Sequence, residues 1–235
     1  MRHLLQLALA LTLSTGALAH AQITNPDNLV APPPPRNPAH ARTLTEDNLQ
    51  WLWPFTQPAP IGRASDLRLD ARFQSLLARD FNHPQSVWGQ HQSLDQVIPL
   101  FLSAHGAVTA EQNRYLAIDG CVPSFCPAHG LLWIDLGSPH PLIVFAAVNW
   151  TAQNHTTAEA NADYNLYLFA NSPLAALPLA LTASIAHWDA RLAEAHRTVP
   201  HIAQAVLIEP DGTPHDLDPQ QTGANTIAPQ TASTQ

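Results

Sequence analysis

The only two cysteines in 235 residues, Cys121 and Cys126, close the six-residue stretch CVPSFC. Several chemistries are open to that arrangement. The two thiols can pair as a disulfide. With His129 they form C-x4-C-x2-H, which His105 could complete as a Cys2His2 zinc set. A free thiol with His129 as base would be a nucleophile, but a second cysteine nearby argues against one. Asp119 and Asp135 bracket the loop and could form an acid/base pair, although solvated carboxylates at strand ends are commoner. Of the thirteen histidines, His83, His91, His140, His155, His187, His196 and His201 show no ligand spacing, and the chain lacks GxSxG, HExxH and phosphate-loop motifs. Trp133, Trp150, Tyr164 and Tyr167 could stack on a carbohydrate or peptide. Alternation along a strand sends at least two of them into the core instead.

The N-terminus favours the disulfide. MRHLLQLALALTLSTGALA has a basic start, an apolar stretch and small residues at Ala17 and Ala19, which is the pattern of a cleaved export signal over residues 1–21. The apolar run is too short and too interrupted to span a membrane. Export to a periplasmic or extracellular space places both cysteines where thiols pair. Cleavage leaves about 210 residues, enough for a real core at 46% hydrophobic content. The formal charge of −8 becomes −9 when Arg2 leaves, and the chain contains no lysine. Such a balance speaks against nucleic acid and anionic membranes and is compatible with a basic partner.

The elements that position the loop follow from periodicity. Residues 22–43 are proline-rich and read as an extended linker. Thr45 can cap a short helix through EDNLQWLW that Pro54 stops, with Trp51 and Trp53 packing on the core or its edge. Leu69, Phe73, Leu76 and Leu77 mark one helix from Ser65 to about Arg79. Ser93 with Gln96 forms a capping box for SLDQVIPLFLSA, kinked by Pro99. A long helix between Pro178 and Ala195 carries the stripe Leu181, Ile185, Trp188, Leu192. Strands are expected at 114–119, 131–136, 142–148 and 164–170, with a further one at AVLIEP before an Asp211-Gly212 turn. Short connections predict an α+β fold: a single antiparallel sheet, a meander of about five strands, with helices packed on it. The domain is expected over 44–215, with residues 216–235 a disordered tail. The sequons Asn149-Trp150-Thr151 and Asn154-His155-Thr156 point to an exposed loop.

CVPSFC then connects the first two expected strands. A bridge over six residues restrains the unfolded chain by only about 2 kcal/mol, so its gain is local: with Pro123, it stiffens a protruding tip and lowers the ordering cost of docking. A purely structural bridge in a carbohydrate- or peptide-binding module is the alternative.

The run VTAEQNRYLAIDGCVPSFC resembles the region around the signature loop, C-K-P-H-D-C, of the Ivy family of periplasmic inhibitors of vertebrate lysozyme. Val108, Thr109, Tyr115, Cys121, Pro123 and Cys126 fall at matching positions, within a resemblance covering roughly residues 72–148. It implies a non-catalytic protein, without metal or cofactor, that plugs the cleft of a lysozyme or other murein hydrolase. The implied contact residues are Val122, Pro123, Ser124 and Phe125, with His129 at the rim. Ser124 stands where the family has the histidine that meets the catalytic carboxylates, and Phe125 where it has aspartate. A serine hydroxyl can donate one hydrogen bond there but carries no charge.

Overall fold

The computed structural model describes residues 48–56, 63–83, 85–88, 92–150, 163–196 and 201–226. The expected signal peptide, the proline-rich linker and most of the sequon loop lie outside them. All described residues fall in one compact unit.

One seven-stranded sheet organises the described residues, in the spatial order of the sequence: β1 (Val108–Glu111), β2 (Tyr115–Val122), β3 (Phe125–Asp135), β4 (Leu142–Trp150), β5 (Asp163–Ala170), β6 (His201–Ile208) and β7 (Pro214–Leu217). Every neighbouring pair is antiparallel except β5 and β6, which run parallel. The fold is α+β with a single sheet, but the sheet is mixed and has seven strands, not an antiparallel meander of about five. The long helix α4 (Leu179–His196) lies between β5 and β6 in the chain. A helix joining two sheet neighbours returns the chain to the same end, which makes the second strand parallel to the first.

Both faces of the sheet are buried, and alternation assigns each side chain to one. On β3, Leu132 and Ile134 face one core while Leu131 and Trp133 face the other; on β4, Ile143, Phe145 and Ala147 alternate with Val144, Ala146 and Val148. The run LIVFAAV is therefore apolar throughout because its strand is covered on both sides. The first face carries α1 (Ala64–Arg68), α2 (Ala71–Asp80), α3 (Leu94–Phe101) and the 3-10 segment Leu49–Thr56; the second carries α4.

Local differences have local causes. The expected helix from Ser65 to Arg79 is two, because the Asp70 carboxylate accepts from the Arg72 backbone N–H at 2.8 Å and starts a new helix. Leu69 at the junction is 72% exposed, while Phe73, Leu76 and Leu77 are buried. Ser93 occupies the N-cap of α3 without capping through its side chain, which bonds Asp95 instead of closing a box with Gln96. Pro54 lies inside a 3-10 segment and does not end it. Trp51 and Trp53 pack partly buried against the first core, and Arg72 covers the Trp51 ring at 4.4 Å.

The C-terminal stretch expected as a tail is folded as far as residue 226. Asp216 and Leu217 belong to β7, reached through the Asp211-Gly212 turn. Thr222 and Ala224 are buried, and the Asn225 amide bonds the Ile202 backbone N–H and carbonyl at 2.8 and 2.9 Å. Backbone and amide bonds hold this segment, and hydropathy does not reveal them.

Candidate functional site

Strands β2 and β3 form a hairpin closed by the two-residue turn Pro123-Ser124, with Val122 paired to Phe125. Ser124 has φ +63°, and proline followed by a left-handed residue is the pattern of a type II turn. Cys121 pairs with His129, so Cys126, Pro127 and Ala128 bulge from β3 without partners in β2. The Cys121–Cys126 disulfide ties this bulge to the stem, with Cα atoms 5.0 Å apart. Pro123, Ser124 and Phe125 are exposed beyond it, Phe125 to 41%.

The stem beneath is held on three sides. Ala104 and Cys121 exchange backbone hydrogen bonds of 3.0 and 3.2 Å, which extends the β1 edge alongside β2. Gly120 and Gly130 pair directly across the hairpin, and the end of α3 packs onto them. A Cβ on Gly120 would lie 2.7 Å from the Leu102 Cα, and one on Gly130 would lie 2.6 Å from the Phe101 Cβ. On the opposite face, Asp119 Oδ2 accepts from Arg191 Nη2 of α4 at 2.9 Å while Oδ1 accepts from the Ala107 N–H at 2.7 Å.

Structure separates residues that sequence had grouped. Val122, Pro123, Ser124 and Phe125 lie together at the tip, but His129 does not sit at the rim: it is 4% exposed, paired between Cys121 and Val148 inside the sheet. The cysteines are bonded to each other, which removes both sulfurs from the Cys2His2 set; among the described residues no three His, Cys, Asp or Glu side chains cluster as a metal site. Asp119 and Asp135 do not meet. Asp119 faces Leu131, four residues or about 13 Å along β3 from Asp135. Asp135 is held by both guanidinium contacts of Arg114, at 2.7 and 2.8 Å, which keep its carboxyl below the usual range. Trp133 and Tyr164 are core residues, Tyr167 is partly buried, and the Trp150 side chain lies outside the described set.

Sequence reasoning missed an open groove of about 790 Å³ beside the hairpin on the α4 face. Gly120, the disulfide and His129 form its floor; Trp188, Arg191 and Leu192 of α4 form one wall, and His105 and Ala107 also line it. The available signal was the motif HWDARLAE at the end of an otherwise apolar helix, where Arg191 stands three residues after Trp188.

The disulfide closes a short ring, so its thermodynamic contribution is modest. Replacing Cys121 and Cys126 by alanine is expected to lower stability by about 2 kcal/mol without changing the sheet content, read as a shifted urea midpoint with unchanged far-ultraviolet dichroism. A collapse of the fold would show that the bulge depends on the bond.

Fold and site together define an α+β protein with one mixed sheet and a stapled, outward-pointing hairpin. Family models, curated proteins and solved structures, each searched, return no match to the chain.

Proposed function

We propose that this is an exported, non-catalytic inhibitor whose hairpin tip enters the cleft of a lysozyme or other peptidoglycan-cleaving enzyme. The observation that supports this reading most is the exposed Phe125 beside a two-residue turn, directly above a disulfide. An exposed aromatic on a pre-shaped support loses little conformational entropy on burial, which is what makes such residues dominant contacts in interfaces. The acidic balance of the chain, −8, favours encounter with a basic enzyme. The resemblance to the Ivy signature loop supplies the partner class, and Ser124 and Phe125 alter its chemistry: one neutral hydrogen-bonding group and one apolar group in place of charged ones. No helix among the described residues is long and apolar enough to cross a membrane.

Inhibition of peptidoglycan clearing by a panel of murein hydrolases tests the reading. Phe125→Ala is expected to weaken inhibition roughly thirtyfold, the loss of about 2 kcal/mol typical of a buried interfacial aromatic. Ser124→Ala is expected to weaken it about fivefold, the net contribution of one hydrogen bond. Neither change should move the melting temperature. Full inhibition by both variants would place the contact elsewhere, and inactivity against every hydrolase would reject the partner class.

A further inference from the structure

The groove beside the hairpin has a composition that selects a ligand independently of the tip. The carboxylate in its stem, Asp119, is already committed. Both Asp119 oxygens take hydrogen bonds, from the Ala107 N–H and from Arg191, which leaves Glu194, exposed to solvent, as the only other carboxylate lining the groove among the described residues. Its donors are in surplus. Trp188 is 1% exposed and its indole Nε1–H has no acceptor among the described residues; the Arg191 Nε–H is likewise buried without one. Both side chains line the groove, and Arg191 is 36% exposed there. Buried donors without acceptors are uncommon and costly, so two of them on residues that line the groove favour an entering acceptor.

The disulfide, Leu192 and Ala107 give the groove an apolar surface, beside the imidazoles of His105 and His129. A volume of about 790 Å³ lies within the range of sites that enclose small molecules, and it exceeds what a bare anion would fill. The Trp188 ring is too buried to serve as a stacking platform for a sugar, and the carboxylates an amine would meet are the already paired Asp119 and the solvated Glu194. We infer that the groove binds a carboxylate on an apolar body, of the kind carried by an N-acylated amino acid or by the C-terminal residue of a peptide. The carboxylate is received by Arg191 and, after a small side-chain movement, by the Trp188 indole, while the apolar body lies over the disulfide and Leu192.

The test uses the full chain without any protein partner, so its failure leaves the inhibitor reading untouched and its success does not depend on it. N-acetyl-leucine and N-acetyl-Ala-Ala-Leu are titrated beside their C-terminal amides, with affinity from calorimetry. The indole N–H resonance of Trp188, assigned by Trp188→Phe, serves as the local readout. The acids are expected to shift that resonance saturably and to bind at least tenfold more tightly than the amides. Arg191→Gln is expected to abolish the preference for the acid. Because that change also frees Asp119, Glu194→Gln provides a variant at an exposed position: removing a nearby negative charge should tighten the acids two- to threefold and leave the amides unchanged. A tripeptide acid binding several-fold more tightly than N-acetyl-leucine assigns the groove to a peptide end, and equal affinities assign it to a free acyl amino acid. Equal binding of acid and amide, or a Trp188 resonance that stays fixed while ligand binds or at saturating additions, overturns the proposal.

Discussion

Asp189→Asn is expected to raise stability at neutral pH by up to about 3 kcal/mol and to abolish a fall in stability between pH 4 and 6. Asp189 lies on α4 beside the core residue Trp188, is 3% exposed, and its Oδ2 has no hydrogen-bond partner among the described residues. Burial disfavours the charged form and pushes the carboxyl from 3.8 up to about 6. The sign follows from proton counting. Between these two values the native state still holds the proton that the unfolded chain has released, so stability decreases as pH rises through the window and is level above it. This is the reverse of a salt-bridged carboxylate such as Asp135, whose lowered value stabilises the native state once ionised and loses that contribution in acid. Urea midpoints of wild type and variant from pH 4 to 7.5 decide the matter. The difference should be small at pH 4 and grow to a plateau above about 6.5. Parallel profiles would mean that Asp189 is ionised and solvated in the native protein.

Where the sequence was readable, a single strong constraint acted on neighbouring residues. The hairpin loop was one case: two cysteines so close together, in a chain with an export-like start, leave few arrangements for the segment between them. The central strands were another, since burial on both faces writes an uninterrupted apolar run into 142–148. Features fixed by longer-range or backbone interactions were not readable. β1 and β7 are four residues long, with sequences VTAE and PHDL, and are specified by the backbone groups of β2 and β6 beside them. The parallel pairing of β5 and β6 depends on where α4 returns the chain, and no residue within either strand encodes that. Leu69 continued a helical stripe, yet the Asp70 cap beside it restarted the helix. His129 is expected at the rim because it stands three residues past the second cysteine; the strand extends back to Phe125 because Gly120 and Gly130 let α3 come close enough to cover it. The groove was invisible for the same reason, as its wall and floor come from segments some seventy residues apart, of which the Asp119–Arg191 pair is the visible link.

Gly120→Ala is expected to cost about 3 kcal/mol, near the upper end for overpacking by one methyl group, and to lower the melting temperature by roughly 6–12 °C. The contacts a new Cβ would meet are the Leu102 Cα at 2.7 Å and the Leu102 carbonyl carbon and Phe101 oxygen at 2.9 Å, all outside any rotating side chain. A flexible neighbour could swing aside, but here the end of α3 must retreat as a unit, and it is anchored by Phe101 against the rings of Trp88 and Phe145 at 5.0 and 5.7 Å. The backbone of Gly120 itself needs no left-handed conformation, so the cost is steric alone. Gly212→Ala supplies the contrast: nothing lies within 4 Å of its added Cβ, but φ is +87°, so its smaller loss is conformational. On the proposed inhibitor reading, the two defects also separate in function. Displacing α3 from the stem moves the support under Pro123, Ser124 and Phe125, so Gly120→Ala should reduce partner affinity as well as stability, whereas Gly212→Ala, at the β6–β7 turn, should reduce stability alone. Thermal melts and inhibition assays on both variants measure this directly. A Gly120→Ala protein that melts within 2 °C of wild type would show that α3 can yield, and that the tip owes its shape to the disulfide and the Ala104 bridge without the helix.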